Sequence, residues 1–256
     1  MIDMSNIVFT VNIKNPEKPK RSEPYDLSVK SWKTWATKNN CEVFTLDEWV
    51  IDDMNPNWHK ILVFDLLENS KVDYDQVLIV DSDTIIHPNA PNVFDITDNK
   101  FCAVHNDGSY DWVLRSMETY SKYVFDGYMF DWWKYFNSGF MIVNKNHKQL
   151  FKDIFDFYLT NKELLSGVQE NFGVGTDQPI INFFVHKNEE GPVDLKLLPY
   201  KWNMQDMVRK EILTHDMLFT KLGWVYHYNA IPDNNLSDKT LYWMNKTYEY
   251  LEQVDD

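Results

Sequence analysis

Asp81 and Asp83 stand two residues apart at the end of the apolar run Val77-Leu78-Ile79-Val80. Two hard oxygen ligands held that close suit a divalent cation that is itself bound to phosphate. An unbroken apolar run rich in β-branched residues reads as a buried central strand of a parallel sheet. Carboxylates just past the carboxyl end of such a strand lie in the crevice where open α/β sheets take their ligands. A plainer role exists for both residues, with Asp81 capping a turn and Asp83 capping the next helix.

The elements around this pair are legible from periodicity. Asn6 to Ile13 alternates as a first strand, followed by a Pro- and Lys-rich loop from Asn15 to Pro24. Leu27, Ser31, Trp32, Trp35 and Ala36 recur at helical spacing within Tyr25 to Lys38, and Cys41 to Leu46 is a second strand. Asn57 to Leu67 is expected as a second helix. Strands are expected at Val77–Val80, Phe101–Val104, Phe140–Val143, Leu195–Leu198 and Trp224–Tyr228. Leu150, Phe151, Ile154, Phe155, Tyr158 and Leu159 mark a long amphipathic helix from His147 to Leu165. Asp177 to Val185 reads as a short buried helix, and the stretch from Asp238 is amphipathic. Tyr110 to Phe136 is dense in aromatics without a clean period, and is expected to be an excursion over the sheet mouth. Strands alternating with helices predict an α/β fold, a mostly parallel central sheet flanked by helices. No linker divides the chain, so residues 1–256 are expected to be a single domain.

Bulk properties narrow the partners. With 256 residues and a hydrophobic fraction of 44%, the chain can build a substantial core. A formal net charge of −14 argues against nucleic acid or an anionic membrane as partner. The one basic run, Lys14 to Arg21, is short and broken by prolines, and reads as a solvated loop. Aromatics reach 16%, which suits either packing or carbohydrate handling. Cys41 and Cys102 lack metal-ligand spacing and are expected as free thiols in a reducing, cytoplasmic compartment. No apolar run approaches the length of a transmembrane segment.

Two enzyme classes use an Asp-x-Asp after a strand. Haloacid-dehalogenase-like phosphohydrolases place Asp-x-Asp-x-Thr there, with the first aspartate as nucleophile, and Asp81-Ser82-Asp83-Thr84 matches that string. Their motif sits on the first strand and needs a later Gly-Asp with a further aspartate, which this chain does not supply. The order of segments instead resembles nucleotide-sugar glycosyltransferases of the GT-A fold along most of the chain. It is most similar to the glycogenin and lipopolysaccharide-galactosyltransferase type and to related galactosyl- and mannosyltransferases. The segments that carry the resemblance are Trp58-His59-Lys60, Tyr74 to Asp83, Phe136-Asn137-Ser138-Gly139-Phe140-Met141, Asp177-Gln178-Pro179-Ile180-Ile181-Asn182, and His227-Tyr228-Asn229. The Gly and Lys-Pro-Trp that the glycogenin type carries after its histidine are absent.

The resemblance implies a metal-dependent transfer of a sugar from a UDP- or GDP-sugar to a hydroxyl acceptor, such as a glycan. It implies Mn²⁺ or Mg²⁺ held by Asp83, Asp81 and His227, an imidazole beside carboxylates suiting Mn²⁺ better than Ca²⁺. Asp81 would share the metal or accept from the ribose, with Ser82 beside it at the donor. Thr10, Val11 and Asn12 would seat the nucleotide base, and Tyr25 would stack on it or simply pack at the helix start. Lys60 would contact phosphate or donor sugar, or be a solvated helix lysine. Asn137 and Ser138 would contact the donor sugar or form a turn before a strand. Asp177 would bond sugar hydroxyls, or take the acceptor's proton if the reaction inverts, or cap a helix. Gln178 would lie near the anomeric carbon. Trp132 and Trp133 are expected to form an acceptor-side lid. A sugar-binding module built on the aromatic segment is the non-enzymatic alternative. A nucleotidyltransferase lacks support, since Asn12 to Pro24 contains no glycine for a phosphate loop.

Overall fold

The computed structural model describes residues 5–14, 25–187, 193–232 and 238–254. The loop Asn15 to Pro24, with all of the basic run except Lys14, and the Asp255-Asp256 tail lie outside the described residues.

A six-stranded sheet has the order β2-β1-β3-β6-β5-β7. Its strands are β1 (Asn6–Val11), β2 (Cys41–Leu46), β3 (Gln76–Val80), β5 (Phe101–His105), β6 (Phe136–Asn144) and β7 (Leu195–Leu198). All run in one direction except β6, which is antiparallel to both β3 and β5. A short β4 (Thr84–Ile86) pairs antiparallel with β8 (Val225–His227) in a second sheet. The α/β architecture with a mostly parallel, helix-flanked sheet is as the sequence predicts.

The apolar run of β3 is buried on both faces because successive side chains point opposite ways. Val77 and Ile79 pack with Ile7, Phe9, Met141 and Phe183. Leu78 and Val80 pack with Val8, Phe140, Trp32 and Trp35, which α1 (Tyr25–Lys38) lays on that face. The indole nitrogens of both tryptophans are used: Trp35 donates to the Ala90 carbonyl and Trp32 to Thr84 Oγ1, each at 2.9 Å. On the first face, Phe64 of α2 (Val63–Asn69) and Phe151 of α4 (Lys148–Phe172) meet edge to face. Each fully buried large apolar side chain contributes about 1.5–3 kcal/mol relative to exposure.

Four details depart from the sequence reading. The expected helix Asn57–Leu67 is a 3₁₀ turn, Pro56–Leu62, running into α2, because Asn55 caps it and Pro56 starts it. Tyr110 to Phe136 is not wholly irregular. Its first half is α3 (Tyr110–Tyr123), capped by Ser109, with Val113, Met117 and Tyr120 buried. The exposed Tyr110 and Tyr123 masked that period. The three-residue β4 was too short to show a pattern. Finally, Asn137 and Ser138 lie inside β6 rather than in a turn before it. Ala103 faces Met141 but Val104 faces Asn137, so Ser138, Gly139 and Phe140 bulge away from β5. Towards β3 the strand stays paired, the Asp81 amide donating to the Gly139 carbonyl at 3.1 Å.

The C-terminal α6 (Asp238–Val254) packs Met244 and Leu251 against Tyr226, Tyr228 and Ile85. Cys41 is half-buried and Cys102 buried, and both are free thiols. No helix among the described residues is long and apolar enough to cross a membrane.

Candidate active site

Three elements converge just past the end of β3. Asp81 leaves the strand, Asp83 follows in a tight turn, and β4 begins at Thr84. Thr84 donates its hydroxyl to the Asp81 carbonyl at 2.8 Å, which ties the turn together. Because Thr84 faces His227 in the β4–β8 ladder, the imidazole is delivered to the two carboxylates. His227 Nε2 lies 3.1 Å from Asp83 Oδ1 and 3.9 Å from Asp81 Oδ2. The three residues offer ligand atoms that all lie within 4.8 Å of one another.

The donor set fits a divalent cation such as Mn²⁺, with two carboxylate oxygens and one imidazole nitrogen. The imidazole orientation is fixed from behind. Asn203 Nδ2 donates to Asn137 Oδ1 at 2.9 Å, so Asn203 turns its carbonyl oxygen to His227 Nδ1, 3.0 Å away. Nδ1 must therefore donate, and in the neutral ring Nε2 keeps its lone pair for a ligand. Burial alone would push the His227 imidazole pKa down, but the Asp83 charge and hydrogen bond, with Asp81 behind, raise it. Burial alone would push the Asp83 carboxyl up, yet His227 holds it below the ordinary carboxylate range.

Gly139 is required by this crowding. A Cβ there would stand 2.4 Å from His227 Cε1, 2.7 Å from Asp81 Oδ2 and 2.9 Å from Asn137 Oδ1. A methyl group cannot enter without moving all three.

Lys60 reaches the same place from the 3₁₀ turn. Its ammonium bonds Asp81 Oδ1, lies 3.2 Å from Asp177 Oδ2, and donates to the Ser138 carbonyl at 3.4 Å. The side chain is only 5% exposed. Burial would lower its pKa, but Asp177 and Asp81 together raise it, so it stays charged. Asp177 opens α5 (Asp177–Lys187) and also accepts from Ser138 Oγ at 3.0 Å and Thr176 Oγ1 at 2.9 Å. Gln178 Oε1 accepts from Asn137 Nδ2 and from the Ser138 amide, both at 3.0 Å. The left-handed Gly173 that ends α4 turns the chain into this helix start.

A cavity of about 480 Å³ opens onto these groups. Of the residues singled out from sequence, Asp81, Ser82, Asp83, His227, Lys60, Asn137, Ser138, Asp177 and Gln178 line it. Val11 and Tyr25 line it on the β1 side, together with Ile13 and the Asn55-Pro56-Asn57 turn. Thr10 and Asn12 do not line it. Alternation along the strand turns them the other way from Val11. Thr10 is fully buried, and Asn12 donates to Asp26 at 3.1 Å. The sequence reading missed Asn203 and gave no site role to Trp112, Gly175 or Asn229, although Asn229 closes the His227-Tyr228-Asn229 segment. Asn203 lies in an irregular stretch with no period or motif to mark it, whereas Gly175 directly precedes the Thr176-Asp177 cap.

No protein-family model matches the chain, and no curated protein matches it. Among solved structures, it is similar to a glycosyltransferase involved in the glycosylation of the major capsid of PBCV-1. That match has 11% identity and a TM-score of 0.59, covering 97% of this chain and 99% of that one. It is also similar to the apo form of the glycosyltransferase GlyE of Streptococcus pneumoniae TIGR4. There the identity is 13% and the TM-score 0.50, with 98% of this chain and 62% of that one covered. The chain thus has the fold of these glycosyltransferases.

Proposed function

We propose that this protein is a metal-dependent glycosyltransferase. It moves a sugar from a nucleoside-diphosphate sugar to a hydroxyl acceptor, with residues 1–256 as one catalytic domain. The observation that carries the reading is the Asp81–Asp83–His227 cluster at the mouth of a glycosyltransferase-fold sheet. Bound there, Mn²⁺ or Mg²⁺ would supply Lewis-acid neutralisation of the departing diphosphate.

The chain's own residues do the rest. Lys60 adds a permanent positive charge beside the departing group, held by Asp81 and Asp177. In the transfer, the acceptor oxygen bonds to the anomeric carbon as the bond to the diphosphate oxygen breaks. The electron pair of that bond leaves with the diphosphate, and the acceptor's proton passes to Asp177 if the reaction inverts or to an oxygen of the departing phosphate if it retains. A carboxylate has about four acceptor positions, and three on Asp177 are taken by Lys60, Ser138 and Thr176. We assign the remaining one to a substrate hydroxyl, and Asn137 with Gln178 to the donor sugar. Val11 and Tyr25 line the side of the cavity assigned to the base. The two free thiols fit a cytoplasmic site of action.

The phosphohydrolase alternative loses ground. The third group facing Asp81 and Asp83 is an imidazole, and the motif follows the third strand of the chain rather than the first.

The deciding experiment is calorimetry of the full chain with UDP and GDP, with and without Mn²⁺, followed by nucleoside-diphosphate release from a panel of nucleotide-sugars. Metal-dependent binding of one nucleotide, and loss of release in Asp83→Ala, are expected. Absence of nucleotide binding under both conditions removes the reading.

A further inference from the structure

Tyr110, Trp132 and Trp133 form an exposed aromatic cluster at the carboxyl end of β5, outside the groups that serve the donor. They are 55%, 37% and 53% exposed. Tyr110 meets Trp132 edge to face at 4.8 Å, and Trp132 meets Trp133 likewise at 5.9 Å. Edge-to-face packing fixes the rings against one another without covering both faces of either pair. The cluster is anchored on His105, the last residue of β5, whose ring lies 6.1 Å from Trp132.

Its position relative to the chemistry follows from the sheet. β5 lies two strands from β3, across β6. At about 4.8 Å per strand, the base of the cluster is about 10 Å across the sheet from β3, and His105, opposite Phe136, lies three residues further along the strand direction than Asp81, opposite Gly139. The β1 side of the mouth is the opposite flank. Trp112, two residues after Tyr110, lines the cavity itself. It packs so closely on Gly175 that a Cβ there would come 2.9 Å from the indole. Cavity wall and exposed cluster therefore share the first turn of α3.

The surroundings select the ligand. Asp107, Asp111 and Asp131 rim the cluster in the same segments, with side chains 44%, 88% and 46% exposed. Among the described residues each has a single basic partner, Lys210, Arg115 and Lys134 in turn, which leaves carboxylate lone pairs for hydroxyl donors. The net charge of −14 disfavours a phosphate-bearing or anionic lipid ligand. Ring faces beside carboxylates match a molecule with an apolar C–H face and an edge of hydroxyls.

We propose that Tyr110, Trp132 and Trp133 are an acceptor platform whose ligand is the pyranose ring of a neutral saccharide. The ring lies with its C–H face on an indole, its hydroxyls on the rim carboxylates, and its reacting hydroxyl turned toward Asp177. This rests on the glycosyl-transfer reading, which requires a hydroxyl acceptor at that side of the cavity.

The probes are the methyl α- and β-pyranosides of glucose, galactose and mannose, each offered to the full chain in saturation-transfer NMR. At least one is expected to receive saturation on its ring C–H protons. Trp132→Ala and Trp133→Ala should each weaken it about tenfold, as for loss of one stacking contact. Trp133→Leu keeps an apolar side chain without a ring face, and should lose as much. Absence of transfer to every pyranoside, or an affinity unmoved in all three variants, overturns the platform. So does binding kept by Trp133→Leu and lost only in the alanine variants, which is the signature of a general apolar surface. Calorimetry with Mn²⁺ and UDP or GDP on the same preparation separates the two readings. Nucleotide binding without saccharide binding sinks the platform alone. Saccharide binding without nucleotide binding sinks glycosyl transfer and with it the acceptor role, leaving a surface that binds saccharide without transferring to it.

Discussion

Asn203 holds its carbonyl oxygen 3.0 Å from His227 Nδ1, and that bond decides which imidazole nitrogen faces Asp83. Removing a partner that orients a metal-binding histidine typically costs 10- to 100-fold in affinity. Asn203→Leu is therefore expected to weaken Mn²⁺ by about that factor, read by calorimetry or by the EPR signal of free Mn²⁺. Asn203→Asp is more discriminating. It can still accept from Nδ1, but it can no longer donate to Asn137 Oδ1. Mn²⁺ affinity should survive while transfer falls, because Asn137 must turn its amide and release Gln178. Equal Mn²⁺ affinity in wild type and Asn203→Leu would show that the bond does not orient the ligand.

Gly139 supplies a test that changes no ligand. Gly139→Ala puts a methyl group among His227, Asp81 and Asn137 at 2.4 to 2.9 Å. Overpacking of this kind costs about 1–3 kcal/mol, so the fold is expected to persist with a lowered Tm. Mn²⁺ affinity should drop further than stability does. A variant that binds Mn²⁺ as wild type would mean that the cluster relaxes freely around the methyl.

Lys60 couples the metal cluster to α5. Truncating one partner of a buried pair costs about 3–5 kcal/mol, because the other charge is left uncompensated. Lys60→Ala leaves Asp177, whose side chain is 7% exposed, without its cation. Denaturant unfolding should show a loss of that size. Lys60→Ala combined with Asp177→Asn should recover much of the stability and none of the transfer. A double variant no more stable than the single would place the loss in packing instead.

The carboxylate pair and the strand that positions it were legible because one buried strand shows as an unbroken apolar run. Lys60, Asn137, Asp177 and His227 were reachable only through their order along the chain. Contacts across roughly 80 residues, such as Lys60 to Ser138, leave no local period. Asn203 was invisible for a related reason: its side-chain oxygen accepts from His227 Nδ1, 24 residues away, and it sits on irregular backbone. The same limit explains Thr10 and Asn12: of the three residues expected there, alternation sends only Val11 to the cavity. α3 was hidden because the aromatic residues that it exposes, Tyr110 and Tyr123, occupy positions where a helix normally shows polar ones.

The protonation of His227 makes metal binding and stability respond to pH in opposite ways. In the metal-free protein the His227 pKa is raised and that of Asp83 lowered, burial opposing both shifts and their mutual charge outweighing it. A raised histidine stabilises fully below its unfolded value of about 6.5, and the gain fades as pH climbs through the folded value. A depressed aspartate stabilises above its unfolded value of about 3.9, and loses the gain as pH falls through the lower folded one. The pair therefore supports the metal-free fold best between about pH 4 and 6.5, and less in alkali. A cation needs the neutral imidazole, so binding must expel that proton and strengthens as pH rises. The increment in Tm that Mn²⁺ gives should accordingly grow from mildly acidic to mildly alkaline buffer, while the metal-free Tm loses this contribution. Thermal melts with and without Mn²⁺ across that range read both trends. An Mn²⁺ increment that stays constant would take His227 out of the ligand set and leave the two aspartates alone.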